Sequence, residues 1–214
     1  MDGKLIVLEG TDGSGKSTQL ELLFKRIQSE GFHVEQMHFP KHGESFGKVV
    51  DDYLDGKFGA KEDLPPEFIS LLYMTDFYES KSRVENLLKS GKNVLLSRYF
   101  TSTLTYQVAL AKESEKDSLW KWISKACERL PVPDLVLVLS VSPNFAEKLM
   151  AKRAEKMDQH ESDKSFQRNV FSEYERNIGD LGWSKINCVK NDSLLSVEEI
   201  HEMVWAEVKK VLEK

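Results

Sequence analysis

The run Gly10-Thr11-Asp12-Gly13-Ser14-Gly15-Lys16-Ser17 satisfies G-x-x-x-x-G-K-[ST], the pattern that cradles the phosphates of a nucleoside triphosphate. Each residue type answers a physical demand. Glycines, lacking a Cβ, let backbone N–H groups converge on one phosphate, and a helix starting at the loop adds the positive end of its dipole. Binding of ATP is therefore expected at Gly10, Gly13, Ser14, Gly15, Lys16, Ser17 and Thr18. Lys16 should bridge the β- and γ-phosphates, and the Ser17 hydroxyl should ligate Mg²⁺.

Such a loop needs a strand before it and a helix after it. The apolar run Leu5-Ile6-Val7-Leu8 supplies the strand, and Leu20, Leu23, Phe24 and Ile27 recur at helical spacing beyond it. Gly31 marks a helix stop, and Val34 to Phe39 reads as a second strand ending at Pro40. Phe68, Leu71, Leu72, Leu87 and Leu88 predict a long helix closed by Gly91. Val94 to Leu96, Leu135 to Leu139 and Lys185 to Val189 are further strands, the first two nearly continuous apolar runs as in a buried parallel sheet. Ser196 and Glu199 have capping-box spacing ahead of a last helix whose face carries Val197, Ile200, Val204, Val208 and Val211.

Alternation of strands and helices around the P-loop predicts one α/β domain spanning 1–214, with a parallel sheet of about five strands covered by helices on both faces. Ligands should gather at the strands' carboxyl ends. The charged segment 148–164, free of Gly and Pro, reads as a solvated helix face or as a basic lid over a phosphate.

Composition narrows the function classes. In 214 residues, 30 Lys and Arg stand against 35 Asp and Glu, a formal net charge of −5; this argues against nucleic acid as a main partner. No apolar stretch reaches the roughly 18 residues of a membrane span, so a cytoplasmic protein is expected. Cys127 and Cys188 have no metal-site or disulfide spacing and read as small buried hydrophobes.

A P-loop alone leaves a GTPase, an ATPase motor and a small-molecule kinase open. A guanine-reading Asn-Lys-x-Asp is not provided by Val189-Lys190-Asn191-Asp192, and the apolar strands end in Ser97 and Ser140 rather than in an acid. A kinase needs no base to activate water.

Over nearly its whole length the chain resembles the thymidylate kinase family, and the resemblance implies a P-loop kinase fold. Glu9-Gly10-Thr11-Asp12-Gly13-Ser14-Gly15-Lys16-Ser17-Thr18, Phe39-Pro40-Lys41, Leu71-Leu72-Tyr73, Ser97-Arg98-Tyr99, Tyr106-Gln107 and Pro133-Asp134-Leu135 follow the family's motifs in order. The resemblance implies that Asp12 lies near the acceptor sugar and that Phe39 and Lys41 help hold the acceptor monophosphate. It implies that Tyr73 stacks on the base, that Arg98 clamps the acceptor phosphate and that Tyr106 packs against the deoxyribose.

The chain departs from the pattern at four places: Lys41, Phe77 and Gln159 stand where the family has Arg, and Ser97 where it has Asp. With Ser97 uncharged, the Mg²⁺ shell is expected to use Ser17, Glu9 and water. Gly13 after the loop acid implies a catalytic arginine from the lid, here Arg153, with Lys152 and Lys156 as other cations. Phe77 occupies a substrate-binding position, and Phe77→Arg is expected to improve use of thymidylate.

The resulting expectation is an ATP-dependent kinase of a deoxynucleoside monophosphate, thymidylate first, with Lys16, Asp12, Arg98 and Arg153 in catalytic roles and a homodimer by resemblance. Two alternatives stay open: a kinase of another nucleotide or nucleoside, and a nucleotide-binding regulator with a weakened catalytic shell.

Overall fold

A computed structural model describes residues 2–151 and 157–214. Strands β1 (Leu5–Gly10), β2 (Val34–His38), β3 (Asn93–Ser97), β4 (Leu135–Ser140) and β5 (Ser184–Asn187) form a single parallel sheet in the order β2-β3-β1-β4-β5. Among the described residues eight α-helices connect and cover it: α1 (Lys16–Ser29), α2 (Gly47–Leu54), α3 (Pro66–Lys89), α4 (Phe100–Leu110), α5 (Lys116–Cys127), α6 (Pro143–Met150), α7 (Lys164–Leu181) and α8 (Val197–Leu212).

The continuous apolar strands follow from burial on both faces. Leu5 and Val7 of β1 join a core beneath α3, α4, α5 and α7, whereas Ile6 and Leu8 join the opposite core beneath α1 and α8. All four side chains are fully buried. At roughly 1.5 to 3 kcal/mol per buried aliphatic side chain, this strand is among the least adaptable parts of the chain, and its end is a firm platform for the loop that follows.

The fifth strand is shorter than the sequence suggests. It stops at Asn187, and Val189–Lys190 pairs antiparallel with Ser193–Leu194 in a small hairpin. Asn191 and Asp192 turn that hairpin with φ of 49° and 55°, the left-handed pair a two-residue turn requires. Helix α8 begins with the expected capping box, Ser196 Oγ accepting from Glu199 N and Glu199 Oε2 accepting from Ser196 N.

Helix α3 packs Leu87 and Leu88 against the core, but not all of the apolar residues of its pattern face inward. Ile69, Met74, Phe77 and Val84 are buried, while Phe68 and Leu71 are 39% and 49% exposed. Cys127 and Cys188 are free and buried in opposite cores, and burial pushes both thiols up to about 12. Among the described residues no helix is long and apolar enough to cross a membrane.

Candidate active site

At the carboxyl end of β1 the chain enters a tight loop and then α1. Gly13 has φ 77°, and a Cβ there would stand 2.7 Å from both the Ala146 carbonyl oxygen and Met150 Cγ of α6. Glycine therefore satisfies both the left-handed turn and the close approach of α6. Gly15, at φ 86°, caps α1 without any side-chain hydrogen bond, and the first turn carries no acid. The helix thus leaves its first N–H groups and its positive dipole end for an external anion. Lys16 Nζ lies over the loop, donating to the carbonyls of Gly10 (3.1 Å) and Thr11 (2.7 Å).

These features fit a nucleoside triphosphate. They fit Mg²⁺ too, because that ion keeps several waters and is held largely by substrate phosphates with one or two protein oxygens. Exposed Ser17 lines the adjoining cavity and offers such an oxygen. Among the described residues no group of three or more His, Cys, Asp or Glu side chains could hold a metal ion.

Glu9, expected on the metal side, is placed elsewhere. It is fully buried; Oε1 accepts from Thr101 Oγ1 (2.5 Å) and Tyr99 N (3.3 Å), and Oε2 from Ser102 Oγ (2.5 Å) and Tyr174 OH (2.7 Å). Its lone pairs are filled by donors from α4 and α7, so Glu9 ties β1 to those helices instead of facing a cation.

Asp12 and Arg98 meet at the centre. Arg98 follows β3 with φ 64°, a left-handed conformation for a non-glycine residue, which costs of order 1 to 3 kcal/mol and is characteristic of functional positions. Its Nη2 donates to Asp12 and to Tyr106 OH (3.0 Å), its Nη1 to Ser102 Oγ (3.2 Å) and the Gly10 carbonyl (3.3 Å), and the guanidinium lies 4.9 Å from the Tyr106 ring centre. Asp12 Oδ2 also accepts from Tyr106 OH and Gln167 Nε2, both at 3.0 Å. Burial alone would raise the Asp12 pKa, but Arg98, then Lys16 and the two hydrogen bonds, hold it well below the usual carboxylate range.

A cavity of about 370 Å³ opens from this pair. Its lining includes Asp12, Gly13, Lys16 and Ser17 of the loop and the start of α1, and the rings of Phe39, Tyr73, Phe77 and Tyr106. Further residues complete the lining. Gln107 of α4 is fully buried, and among the described residues neither its amide oxygen nor its nitrogen has a hydrogen-bond partner, nor does the Thr103 hydroxyl one turn before it. His160 stacks on Tyr106 with ring centres 5.8 Å apart, and its Nε2 lies 2.7 Å from Tyr53 OH. Burial pushes the His160 pKa down to about 4, so this ring is neutral near pH 7. Asp158 Oδ1 accepts from the backbone N–H groups of His160 (2.7 Å) and Glu161 (2.8 Å), and burial raises its pKa.

Other expected site residues lie differently. Phe77 is 2% exposed and packs edge-on against Phe39 (5.0 Å) and Tyr99 (5.4 Å); it contributes a wall of the cavity and a piece of the core together. Lys41 does not line the cavity. Its Nζ pairs with Glu79, Asp76 (3.4 Å) and Glu44 (3.7 Å). Gln159 turns away as well: its Nε2 donates to the Tyr53 carbonyl and its Oε1 accepts from Lys61 N at 3.0 Å. Gly10, Ser14, Gly15 and Thr18 belong to the loop and to the start of α1 beside the cavity. Arg153, with Lys152 and Lys156, lies outside the described residues.

Comparison with known proteins agrees with this geometry. A family model described as thymidylate kinase matches residues 8–204. Thymidylate kinases of Danio rerio and Homo sapiens are 31% and 30% identical, each alignment covering 94% of this chain and 87% of the relative. That of Schizosaccharomyces pombe is 28% identical over 94% of this chain and 90% of its own length. The solved thymidylate kinase of Candida albicans shares the fold with a TM-score of 0.79 at 23% identity, over 98% of this chain and 92% of that one. The match to the family model over most of the chain, with relatives aligned nearly end to end, establishes that this chain belongs to the thymidylate kinase family.

Proposed function

We propose that the protein transfers the γ-phosphoryl group of ATP to the 5′-phosphate of thymidylate, giving thymidine diphosphate. One observation carries the reading: the same cavity is lined by Lys16 and Ser17 of the triphosphate-binding loop and by the rings of Tyr73 and Phe77. A donor and an acceptor nucleotide can therefore meet with their phosphates near Asp12 and Arg98.

The chain's own groups suggest the division of labour. Lys16 would exchange the Gly10 and Thr11 carbonyls for phosphate oxygens, joined by N–H groups at the start of α1. Tyr73 would stack on the acceptor base, and the unpartnered amide of Gln107 would read the base edge with one donor and one acceptor. Tyr106 would cover the sugar, with Asp12 beside it. Arg98 would turn part of its fork to the acceptor phosphate while Asp12 keeps it in place. Mg²⁺ held by Ser17 and phosphate oxygens would neutralise charge on the transferred group. Arg153 of the lid segment 148–164 would supply a further cation, a contribution worth about 10³ to 10⁵ in rate where such an arginine operates.

As a finer reading, the protein is a cytoplasmic homodimer. Two buried free thiols suit a reducing compartment. Phe68, Leu71 and Tyr78 form an exposed apolar stripe along α3, with Trp122 of α5 also exposed, and such a stripe suits a second copy of the chain.

An ADP-release assay across deoxynucleoside monophosphates tests the activity. Turnover should require ATP and thymidylate together; ATP binding without turnover would return the regulator alternative.

A further inference from the structure

We propose that Glu9 is a positioning residue for phosphoryl transfer: through the Ser102 hydroxyl it sets the direction in which Arg98 presents its guanidinium. The inference rests on the kinase reading above and gives a fully buried carboxylate a part in the reaction.

An arginine clamp works by orientation as much as by charge. Both arms of the Arg98 fork are committed, and their acceptors differ in kind. Nη2 meets Asp12 and Tyr106, which line the cavity. Nη1 meets Ser102 Oγ at 3.2 Å and the Gly10 carbonyl at 3.3 Å. Both Nη1 acceptors lead to Glu9: Gly10 is the next residue in the chain, and Ser102 Oγ lies 2.5 Å from Glu9 Oε2.

The Ser102 hydroxyl has a choice of roles, and Glu9 makes it. A serine hydroxyl can donate or accept and rotates to suit its neighbours, whereas a carboxylate only accepts. The Ser102 proton therefore goes to Glu9 Oε2, and the lone pairs of Ser102 Oγ are left for Arg98. Tyr174 reinforces this from α7: its hydroxyl donates to the same Oε2 at 2.7 Å and lies 3.2 Å from Ser102 Oγ. On the other oxygen, Thr101 Oγ1 and Tyr99 N fix the plane of the carboxylate. The backbone just beyond Arg98 is thereby tied to Glu9 as well, which helps keep Arg98 at φ 64°. Burial works against the Arg98 charge, while Tyr106, Asp12, Tyr174 and Glu9 work for it and hold its pKa above the ordinary arginine value. Without Glu9 the guanidinium keeps its charge and its contact with Asp12 but loses the fixed direction of its Nη1 arm. Acceptor capture then survives while alignment for transfer suffers.

The test is a double-mutant cycle in the full-length protein, with kcat, the thymidylate KM and the ATP KM measured beside thermal melts. Glu9→Gln keeps the side-chain shape and replaces an acceptor by a donor. The Tyr99 N–H can only donate, so the new amide nitrogen faces Ser102 and Tyr174. Glu9→Gln and Ser102→Ala should each lower kcat on the order of tenfold, with both KM values within about twofold of the wild type. Combined, they should lower kcat no further than the stronger single change, because Glu9 acts through Ser102. Tyr174→Phe should lower kcat in the same selective way, and it takes the place of Glu9→Gln in the cycle if that variant fails to fold. Three results overturn the inference while sparing the kinase reading: kcat losses that multiply in the double variant, a rise in the ATP KM as large as the fall in kcat, or wild-type kcat in Ser102→Ala and Tyr174→Phe. Absence of ATP-dependent transfer to thymidylate by the wild type would overturn both.

Discussion

Arg98 and Asp12 reach each other from the ends of adjacent strands, and the contact joins the triphosphate loop to the acceptor cavity. The arginine is held in a left-handed backbone conformation by the residues around it and presents four distinct hydrogen bonds. Arg98→Lys keeps the charge and loses the fork. We predict a fall in kcat/KM for thymidylate of about ten- to a hundredfold, from the 1.5 to 3 kcal/mol of a charged hydrogen bond, with ATP affinity little changed. Paired ATP-binding and turnover measurements check it; equal losses in both would make Arg98 a structural residue.

Gln107 gives a prediction with two signs. Its buried amide has no partner among the described residues, so Gln107→Met should leave stability unchanged or raise it, because an unsatisfied polar group is replaced by an apolar one of similar shape. The thymidylate KM should rise by roughly 5- to 100-fold, corresponding to about two lost hydrogen bonds. Thermal melts beside kinetics test the pair of effects; a destabilised variant with normal KM would mean that the amide serves the core.

Phe77→Arg was expected from the sequence to improve the enzyme, and the geometry reverses that expectation. The ring is wedged between Phe39 and Tyr99, and replacing it with a charge in the same space costs on the order of 3 kcal/mol or more. In a chain of this size that lowers Tm by about 6 to 12 °C. A melt at the wild-type temperature, with a raised kcat/KM for thymidylate, would restore the earlier expectation.

The ease of reading the P-loop and the difficulty of reading the acceptor end have a common cause. Phosphate cradling is done by contiguous residues, so Gly10 to Ser17 declare it in one dimension, and β1, β3 and β4 show as apolar runs because both faces of the sheet are covered. Lys41 and His42 are sequence neighbours, yet Lys41 is held among carboxylates while His42 lines the cavity. Which of them turns to the cavity is decided by Asp76 and Glu79 on α3, and no local pattern reports that choice. The inward face of α3 is hard to read for a related reason: Phe68 and Leu71 are as apolar as Ile69 and Met74 yet face outward. His160 and Gln107 carry no periodic signal; their roles exist only once α4, α7 and the segment before α7 are packed together. Glu9 looked like a metal-side acid beside the loop, and only its four donors from distant elements reveal an internal tie.

His160 makes stability depend on pH. Its folded pKa, about 4, lies below the ordinary histidine value because burial disfavours the charged ring. The unfolded chain therefore takes up a proton first as pH falls, and the folded state loses stability from about pH 6.5 down to about 4. At pH 5 the loss from this group is about 2 kcal/mol. His160→Gln should show a smaller loss between pH 7 and pH 5 in denaturant titrations than the wild type does. Parallel curves for the two proteins would mean that the ring protonates freely in the fold.

The most direct measurement is ATP-dependent formation of thymidine diphosphate by the purified protein, followed as ADP release with thymidylate and other deoxynucleoside monophosphates as acceptors and with Lys16→Ala alongside. Thymidylate should give the highest kcat/KM, and Lys16→Ala, which removes the cation over the Gly10 and Thr11 carbonyls, should stay folded and lose turnover by at least about a hundredfold. Another acceptor favoured over thymidylate by tenfold or more, or turnover that survives in folded Lys16→Ala, would contradict the account.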